Sequence, residues 1–93
     1  MKVFISQPMR NLSDEEILKK RKELAMRYPD AEIIDSFFGD VPHDAKPLWF
    51  LGESLKLLGT ADIAIFAKGW EKTRGCRIEH SAAVEYGIET AYE

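Results

Sequence analysis

An α/β fold, in which helices cover both faces of a parallel sheet, is the architecture that the sequence predicts. Short runs of β-branched and aromatic residues alternate with amphipathic segments of helical length along the whole chain. The runs are continuously apolar, as in parallel strands that are buried on both faces. Alternation of this kind favours right-handed crossovers and a three-layer αβα arrangement. The length of 93 residues predicts a single domain, residues 1–93.

Two apolar runs in the first half of the chain predict strands. Residues 2–6 form the first run, and a proline ends it in a polar loop that covers residues 6–11. Residues 31–37 form the second run. Ile33 and Ile34 are consecutive there, which is typical of a strand with apolar layers on both sides.

The segment between these strands predicts an amphipathic helix. Ser13 and Glu16 have the spacing of a capping box, so we expect the helix to begin at Asp14. Pro29 is expected to end it. The lysine-rich residues 19–22 are expected on the solvated face. The apolar stripe comprises Ile17, Leu18, Leu24, Ala25 and Tyr28.

A second helix and two further strands follow. Residues 38–47 form a loop that is long enough for a lid or a rim. Pro47 suits the first turn of the next helix, which Gly59 is expected to end. Residues 62–66 predict a buried third strand, and residues 88–92 predict a final edge strand. The apolar side of the second helix comprises Trp49, Leu51, Leu55 and Leu58.

The loop of residues 68–75 and the helix after it form the segment most typical of a ligand site. The strand order is expected to be 2-1-3-4, as in flavodoxin-like folds, so this loop should face the loop of residues 6–11 across one crevice. Gly75 lets the backbone approach a ligand, and the amides of the following turn are donors without helical partners. Glu79 lies about one turn into this helix, where a carboxylate is placed to act as a nucleophile or a general base. Gly87 is expected to cap the helix end.

Composition and charge exclude several classes of protein. Apolar residues make up 45% and charged residues 31% of the chain, as in an ordinary globular domain. The net charge is −3 with both signs interspersed, so we expect no polymeric nucleic acid as a partner. The single cysteine excludes an internal disulfide. No apolar run is long enough for a membrane span and the N-terminal residues have the pattern of a strand, so we expect a cytoplasmic protein that binds no membrane.

Five motifs resemble the nucleoside 2-deoxyribosyltransferase superfamily, and most closely a small bacterial and phage branch of it. They are residues 5–9, 61–62, 69–71, 74–80 and 86–87, and they follow the superfamily's order over nearly the whole chain. The resemblance implies cleavage of the N-glycosidic bond of a deoxynucleoside or its 5′-monophosphate, with the sugar passed to another base or to water. It also implies that Glu79 attacks the anomeric carbon, since carboxylates stabilise the oxocarbenium-like state of such reactions. No metal or organic cofactor is expected.

The resemblance further implies a set of substrate-binding residues. The first loop matches the superfamily's sugar- and phosphate-binding loop, and Arg10 with the amides near Gly75 suits a 5′-phosphate. Ser54 stands where the superfamily generally has an aspartate that protonates the leaving base, and Glu53 is beside it. Trp70 is expected either to stack on the base or to anchor a lid against the core. The expected substrate-binding residues are Ser6, Gln7, Pro8, Met9, Arg10, Glu53, Ser54, Trp70, Arg74 and Gly75.

Three functions remain open at this point. The first is an N-glycosidase or deoxyribosyltransferase, the second is a catalytically inactive module that binds a nucleotide, and the third is a subunit of a larger complex. A homodimer or higher homo-oligomer is expected, since superfamily members commonly oligomerise and the core is small. Cys76 is either a thiol whose pKa the helix start lowers or a small buried side chain. His80 is expected to be structural or exposed and not a metal ligand.

Overall fold

A four-stranded parallel sheet organises the chain, of which the computed structural model describes residues 1–36 and 41–93. The strands are β1 (Lys2–Ser6), β2 (Glu32–Ile33), β3 (Ile63–Phe66) and β4 (Glu89–Tyr92). The helices are α1 (Asp14–Ala25), α2 (Pro47–Leu58) and α3 (Arg74–Glu85). The strand order β2-β1-β3-β4 confirms the predicted flavodoxin-like topology. The bounds of β3 and β4 agree with the prediction to within one residue.

The two faces of the sheet carry separate apolar layers. Successive side chains of a strand point to opposite faces, so β1 contributes to both layers. Val3 and Ile5 pack with Leu24 of α1 on one face. Phe4 packs with Leu58 of α2 on the other face, where α3 also lies. Burial of each large apolar side chain contributes about 1.5–3 kcal/mol, so these layers fix the strand ends against the helices.

Helix α1 begins where the sequence predicts but ends earlier. The Ser13 hydroxyl accepts a hydrogen bond from the Glu16 amide, and the Glu16 carboxylate accepts one from the Ser13 amide, so the capping box is present. The helix ends at Ala25 and not at Pro29. The residue before a proline disfavours the α conformation, and the Tyr28 amide donates instead to the Ala25 carbonyl in a tighter turn.

Arg21 is buried, although its lysine neighbours predict a solvated position. Its guanidinium donates to the carbonyl oxygen of Ile34 and to the hydroxyl of Ser36, 3.2 Å away. Burial lowers the pKa of Arg21, and the charge of Asp35 acts in the opposite direction. Leu18, predicted on the apolar stripe, is 53% exposed. The buried side of α1 is therefore turned toward the segment that leaves β2.

Strand β2 is shorter than the sequence predicts. It comprises Glu32–Ile33, whereas the prediction covers residues 31–37. The ladder ends early because the Ile34 carbonyl accepts a hydrogen bond from the buried arginine of α1. Ile33 and Ile34 pack in opposite apolar layers, as predicted. The end of the predicted strand and the first part of the predicted lid or rim fall on residues 37–40, which lie outside the described residues.

Helix α2 has the predicted bounds but a mixed surface. It begins at Pro47 and Gly59 is its C-cap. Leu58 is buried in the core, whereas Leu48 and Phe50 are 74% and 39% exposed. The two exposed side chains both border a cavity at the end of the sheet.

A left-handed glycine joins α3 to β4. Gly87 has a φ of 74° and follows Tyr86, the C-cap residue of the helix. The Ile88 amide donates to the Ala83 carbonyl at 2.9 Å, and the Gly87 amide donates to the Val84 carbonyl at 3.4 Å. This is the hydrogen-bond pattern of a Schellman motif, and the prediction that Gly87 ends the helix is confirmed.

Candidate functional site

A cavity of about 760 Å³ opens at the C-terminal end of β1, against the N-terminal parts of α2 and α3. Ligands of open α/β sheets bind at this end of the strands, next to the topological switch point. In the observed strand order that point lies between β1 and β3. Ser6, Ser54, Cys76 and Glu79 are among the residues that line the cavity.

Glu79 supplies a buried carboxylate to this cavity. It lies in the second turn of α3 and is 8% exposed. The hydroxyl of Ser6, the last residue of β1, donates a hydrogen bond of 2.6 Å to Glu79 Oε1. Hydrogen bonds to an ionised acceptor are shorter and stronger than neutral ones. The end of the central strand therefore fixes the orientation of the carboxylate.

The surroundings of Glu79 change its acidity in two opposing ways. Burial raises the pKa of Glu79 above the ordinary glutamate value, because the charged form loses solvation. Hydrogen bonds from Ser6 and from Ser54 of α2 lower the pKa in part, because they stabilise the charged form. Carboxyl groups with perturbed pKa values inside clefts are typical of sites that carry out proton transfer or nucleophilic attack.

Cys76 lies on the same side of α3 as Glu79, since residues spaced i and i+3 are neighbours on a helix surface. It is a free thiol and is 3% exposed. Burial raises the pKa of Cys76, a hydrogen bond with Ser6 lowers it in part, and the charge of Glu79 raises it further. The interpretation of Cys76 as a thiol with a lowered pKa is therefore wrong, and the alternative of a small buried side chain is confirmed.

The structure brings most of the predicted substrate-binding residues to the cavity. Pro8 lines a second cavity, beside α1. Glu53 is not among the described residues that line the first cavity, and its carboxylate lies 3.1 Å from the ammonium of Lys56. The predicted residues that do line the first cavity are Ser6, Gln7, Met9, Arg10, Ser54, Arg74 and Gly75. Their binding roles remain predictions.

Trp70 packs among aromatic side chains near β4. Its ring stacks on His80, with centroids 4.1 Å apart and an angle of 27° between the planes. The centroid of Phe66 lies 5.6 Å from that of Trp70. His80 Nε2 lies 2.7 Å from the hydroxyl of Tyr92. This arrangement matches the interpretation of Trp70 as an anchor on the core and of His80 as a structural residue, and neither side chain belongs to the described wall of the first cavity.

The first turn of α3 presents backbone amides at the cavity. Thr73 is the N-cap residue, but its hydroxyl donates to the Gly69 carbonyl at 3.3 Å and does not cap the helix. Apart from its chain neighbours and the nearby backbone of α3, a Cβ atom placed on Gly75 would meet no protein atom within 4 Å, which leaves room for a ligand against the backbone. Arg10 and Arg74 are exposed and also line the cavity. Uncapped amides and guanidinium groups together favour an anionic ligand group.

Apart from Met9, the apolar part of the wall was not predicted from the sequence. Leu48 and Phe50 of α2 and Ile78 of α3 line the cavity, and Ile78 is 41% exposed. The sequence feature that could have indicated this wall is the presence of large apolar residues at positions of α2 and α3 that do not face the core. Exposed apolar side chains around a cleft are typical of ligand-binding surfaces.

Neither a metal site nor a membrane-spanning helix accompanies this cavity within residues 1–36 and 41–93. No group of His, Cys, Asp and Glu side chains there could hold a metal ion. No helix in those ranges is long and apolar enough to cross a membrane. The chain matches no protein-family model, and no curated protein matches its sequence.

Proposed function

We propose that this protein cleaves the N-glycosidic bond of a nucleoside or nucleoside 5′-monophosphate, by hydrolysis or by deoxyribosyl transfer, with Glu79 as the nucleophile. The observation that carries the proposal is the buried Glu79 carboxylate in the cavity, which accepts a 2.6 Å hydrogen bond from Ser6. The motifs that resemble the nucleoside 2-deoxyribosyltransferase superfamily support it, since Glu79 matches the attacking glutamate of that superfamily.

The proposed chemistry has two steps at the anomeric carbon. In the first, a carboxylate oxygen of Glu79 forms a bond to C1′ while the bond from C1′ to the base nitrogen breaks. The bonding electrons remain on the base, which takes a proton from water. The negative carboxylate stabilises the positive charge that develops on the sugar. In the second step, water or another base attacks C1′ while the bond from C1′ to the Glu79 oxygen breaks, and the proton that the attacking group loses passes to the hydroxide left by the first step.

A 5′-phosphate suits the polar groups around the cavity. Arg10 and Arg74 line it, and guanidinium groups bind phosphate through paired hydrogen bonds. The helix start near Gly75 offers amide donors and the positive end of the helix dipole. These groups support a nucleoside 5′-monophosphate over an unphosphorylated nucleoside as the substrate.

A chromatographic assay of free base tests the proposal. A panel of nucleosides and 5′-monophosphates is incubated with the wild type, with Glu79→Gln and with Glu85→Gln. Glu85 is an exposed carboxylate of the same helix outside the cavity, so it provides a matched control. We expect base release by the wild type and the control, and a loss of about 100-fold or more in Glu79→Gln. Undiminished release by Glu79→Gln would contradict the assignment of the nucleophile.

A nucleotide-binding module without turnover is the second candidate. It is favoured by Ser54, which occupies the position where the superfamily generally carries an acid and which lines the cavity together with Glu79. A serine hydroxyl does not protonate a leaving base as a carboxylic acid does. If no substrate of the panel releases base, but 5′-monophosphates raise the melting temperature of the protein, the binding module is the correct assignment.

A further inference from the structure

The wall of the first cavity changes from polar to apolar along α3. Arg74 and Gly75 line the cavity at the helix start, and Ile78 lines it one turn later. An α-helix rises about 1.5 Å per residue, so Arg74 and Ile78 are about 6 Å apart along the helix axis. A ligand that fills the cavity therefore meets an end that suits an anion and an end that suits an apolar group.

Helix α2 supplies a second side of the apolar end. Pro47, Phe50, Leu51 and Ser54 line the cavity, and their spacing of i, i+3, i+4 and i+7 places them on one face of the helix. Phe50 is 39% exposed, so part of its surface is accessible to a ligand. Its ring meets the ring of Trp49 edge to face, with centroids 5.1 Å apart. This contact restricts the orientation of the Phe50 ring.

The polar side chains beside the apolar end are engaged within the protein. The Ser6 hydroxyl donates to Glu79, and the Ser36 hydroxyl accepts a hydrogen bond from the guanidinium of Arg21. The Gln7 amide nitrogen donates to a backbone carbonyl of α1, and the oxygen of the same carboxamide is buried. The edge of a nucleobase is distinguished through its hydrogen-bond donors and acceptors. Few partners for such an edge remain in the described part of this wall.

A nucleobase presents two flat apolar faces besides its polar edge. Bases stack on aromatic side chains with little dependence on sequence, because every base has such a face. The sequence offered Trp70 as a candidate for this contact, but its ring stacks on His80 and lies outside the described wall of the cavity. Phe50 is the exposed aromatic side chain of that wall.

We propose that Phe50 binds the base of a nucleoside 5′-monophosphate by stacking, and that the site recognises the faces of the base and not its edge. This inference rests on the function proposed above and names how that site selects its substrate. The phosphate lies at Arg10 and Arg74, and the base lies against Phe50 and Ile78. Monophosphates whose bases differ at the edge are therefore bound with similar affinity.

The test is isothermal titration calorimetry in a Glu79→Gln background, which limits consumption of the ligand. The ligands are deoxyadenosine 5′-monophosphate, deoxyinosine 5′-monophosphate and 2-deoxyribose 5-phosphate, which has no base. Phe50→Ala should weaken binding of both nucleotides about five- to 150-fold, since it removes the stacking contact. It should change the affinity for 2-deoxyribose 5-phosphate by less than about twofold, which also shows that the variant is folded. Tyr86→Ala removes an exposed aromatic side chain at the end of α3, outside the described wall, and should leave all three affinities unchanged.

The comparison of the two nucleotides tests recognition of the edge. Adenine has an amino donor at the position where hypoxanthine has a carbonyl acceptor, so a site that hydrogen-bonds this edge rejects one of them strongly. With Phe50 present, we expect the two affinities to agree within about threefold.

Four outcomes would overturn the inference. They are undetectable binding of both nucleotides, unchanged nucleotide affinity in Phe50→Ala, an equal loss for 2-deoxyribose 5-phosphate, and a preference of about tenfold or more between the two nucleotides.

The assay of base release separates this inference from the proposed cleavage. Base release by the wild type, with nucleotide affinity unchanged in Phe50→Ala, removes the role of Phe50 and leaves the cleavage in place. Selective loss of nucleotide affinity in Phe50→Ala, without base release by the wild type, removes the cleavage and leaves the base site in place.

Discussion

Replacing Ser6 with alanine tests whether Glu79 is held as a buried, ionised carboxylate. The Ser6 hydroxyl lies 2.6 Å from Glu79 Oε1, and the two residues are 2% and 8% exposed. Hydrogen bonds to charged groups contribute about 1.5–3 kcal/mol to stability, and neutral ones contribute about 0.5–1.5 kcal/mol. Ser6→Ala should therefore lower the free energy of unfolding by about 1.5–3 kcal/mol where Glu79 is ionised, and by about 0.5–1.5 kcal/mol where it is protonated.

The cost of this substitution should depend on pH in a defined direction. Burial raises the pKa of Glu79 and the Ser6 hydroxyl lowers it in part, so removal of the hydroxyl raises the pKa further. The difference in stability between Ser6→Ala and the wild type should accordingly grow as the pH rises through the pKa of Glu79. Urea denaturation at a series of pH values from about 4 to about 9 measures the free energy of unfolding of both proteins.

Two controls separate this effect from a general loss of packing. Ser81→Ala removes an exposed hydroxyl from α3 and should show no pH-dependent change. In a Glu79→Gln background, Ser6→Ala should cost about 0.5–1.5 kcal/mol at every pH, since both partners are then neutral. The reasoning would be refuted if Ser6→Ala lowered the free energy of unfolding by the same amount at all pH values when Glu79 is present. It would also be refuted if Ser6→Ala lowered the free energy of unfolding as much in the Glu79→Gln background as in the wild type.

Other substitutions test the remaining parts of the structure. The stability of Glu79→Gln relative to the wild type should increase as the pH rises from the ordinary glutamate pKa through the raised pKa of Glu79, because the wild type loses stability over that window as the buried carboxyl group ionises. Parallel urea-denaturation curves against pH would contradict this expectation. Gly87→Ala should cost about 1–2 kcal/mol because its φ of 74° is left-handed, whereas Gly52→Ala, inside α2 with open space for a Cβ atom, should gain about 0.5–1 kcal/mol. Denaturant midpoints of the two variants measure this difference in sign. Arg21→Met should cost about 1–3 kcal/mol because it leaves a buried carbonyl unpaired, and Lys22→Met on the exposed side of α1 is the matched control in the same denaturation assay.

The features that the sequence predicted correctly have local or topological causes. The capping box of Ser13 and Glu16 and the left-handed Gly87 depend on residues close together in the chain. The strand order followed from the alternation of strands and helices. The expectation that the loops of residues 6–11 and 68–75 share one crevice followed from the rule that neighbouring parallel strands end at the same edge of a sheet, next to the start of the following helix.

The features that it missed depend on contacts between distant segments. The burial of Arg21 and the early end of β2 share one cause, the hydrogen bonds between this side chain and the segment of Ile34 and Ser36. The spacing of residues within α1 does not indicate which of its basic side chains donates a hydrogen bond to the backbone of another segment. The packing of Trp70 on His80 likewise depends on where α3 lies beside β4, which spacing along the chain does not specify.

The unequal length of the strand ladders determines how the molecule opens. Strand β1 pairs with β3 over four residue pairs but with β2 over two. Segments held by fewer backbone hydrogen bonds and fewer buried contacts open at lower free energy in native-state hydrogen exchange. The β2 edge should therefore open as a separate unit, while the amides of β1 and β3 exchange last. Ser36, which follows β2, lines the first cavity, whereas Ser6 belongs to the β1–β3 centre. Hydrogen exchange should thus show one wall of the cavity opening while the strand that orients Glu79 stays folded.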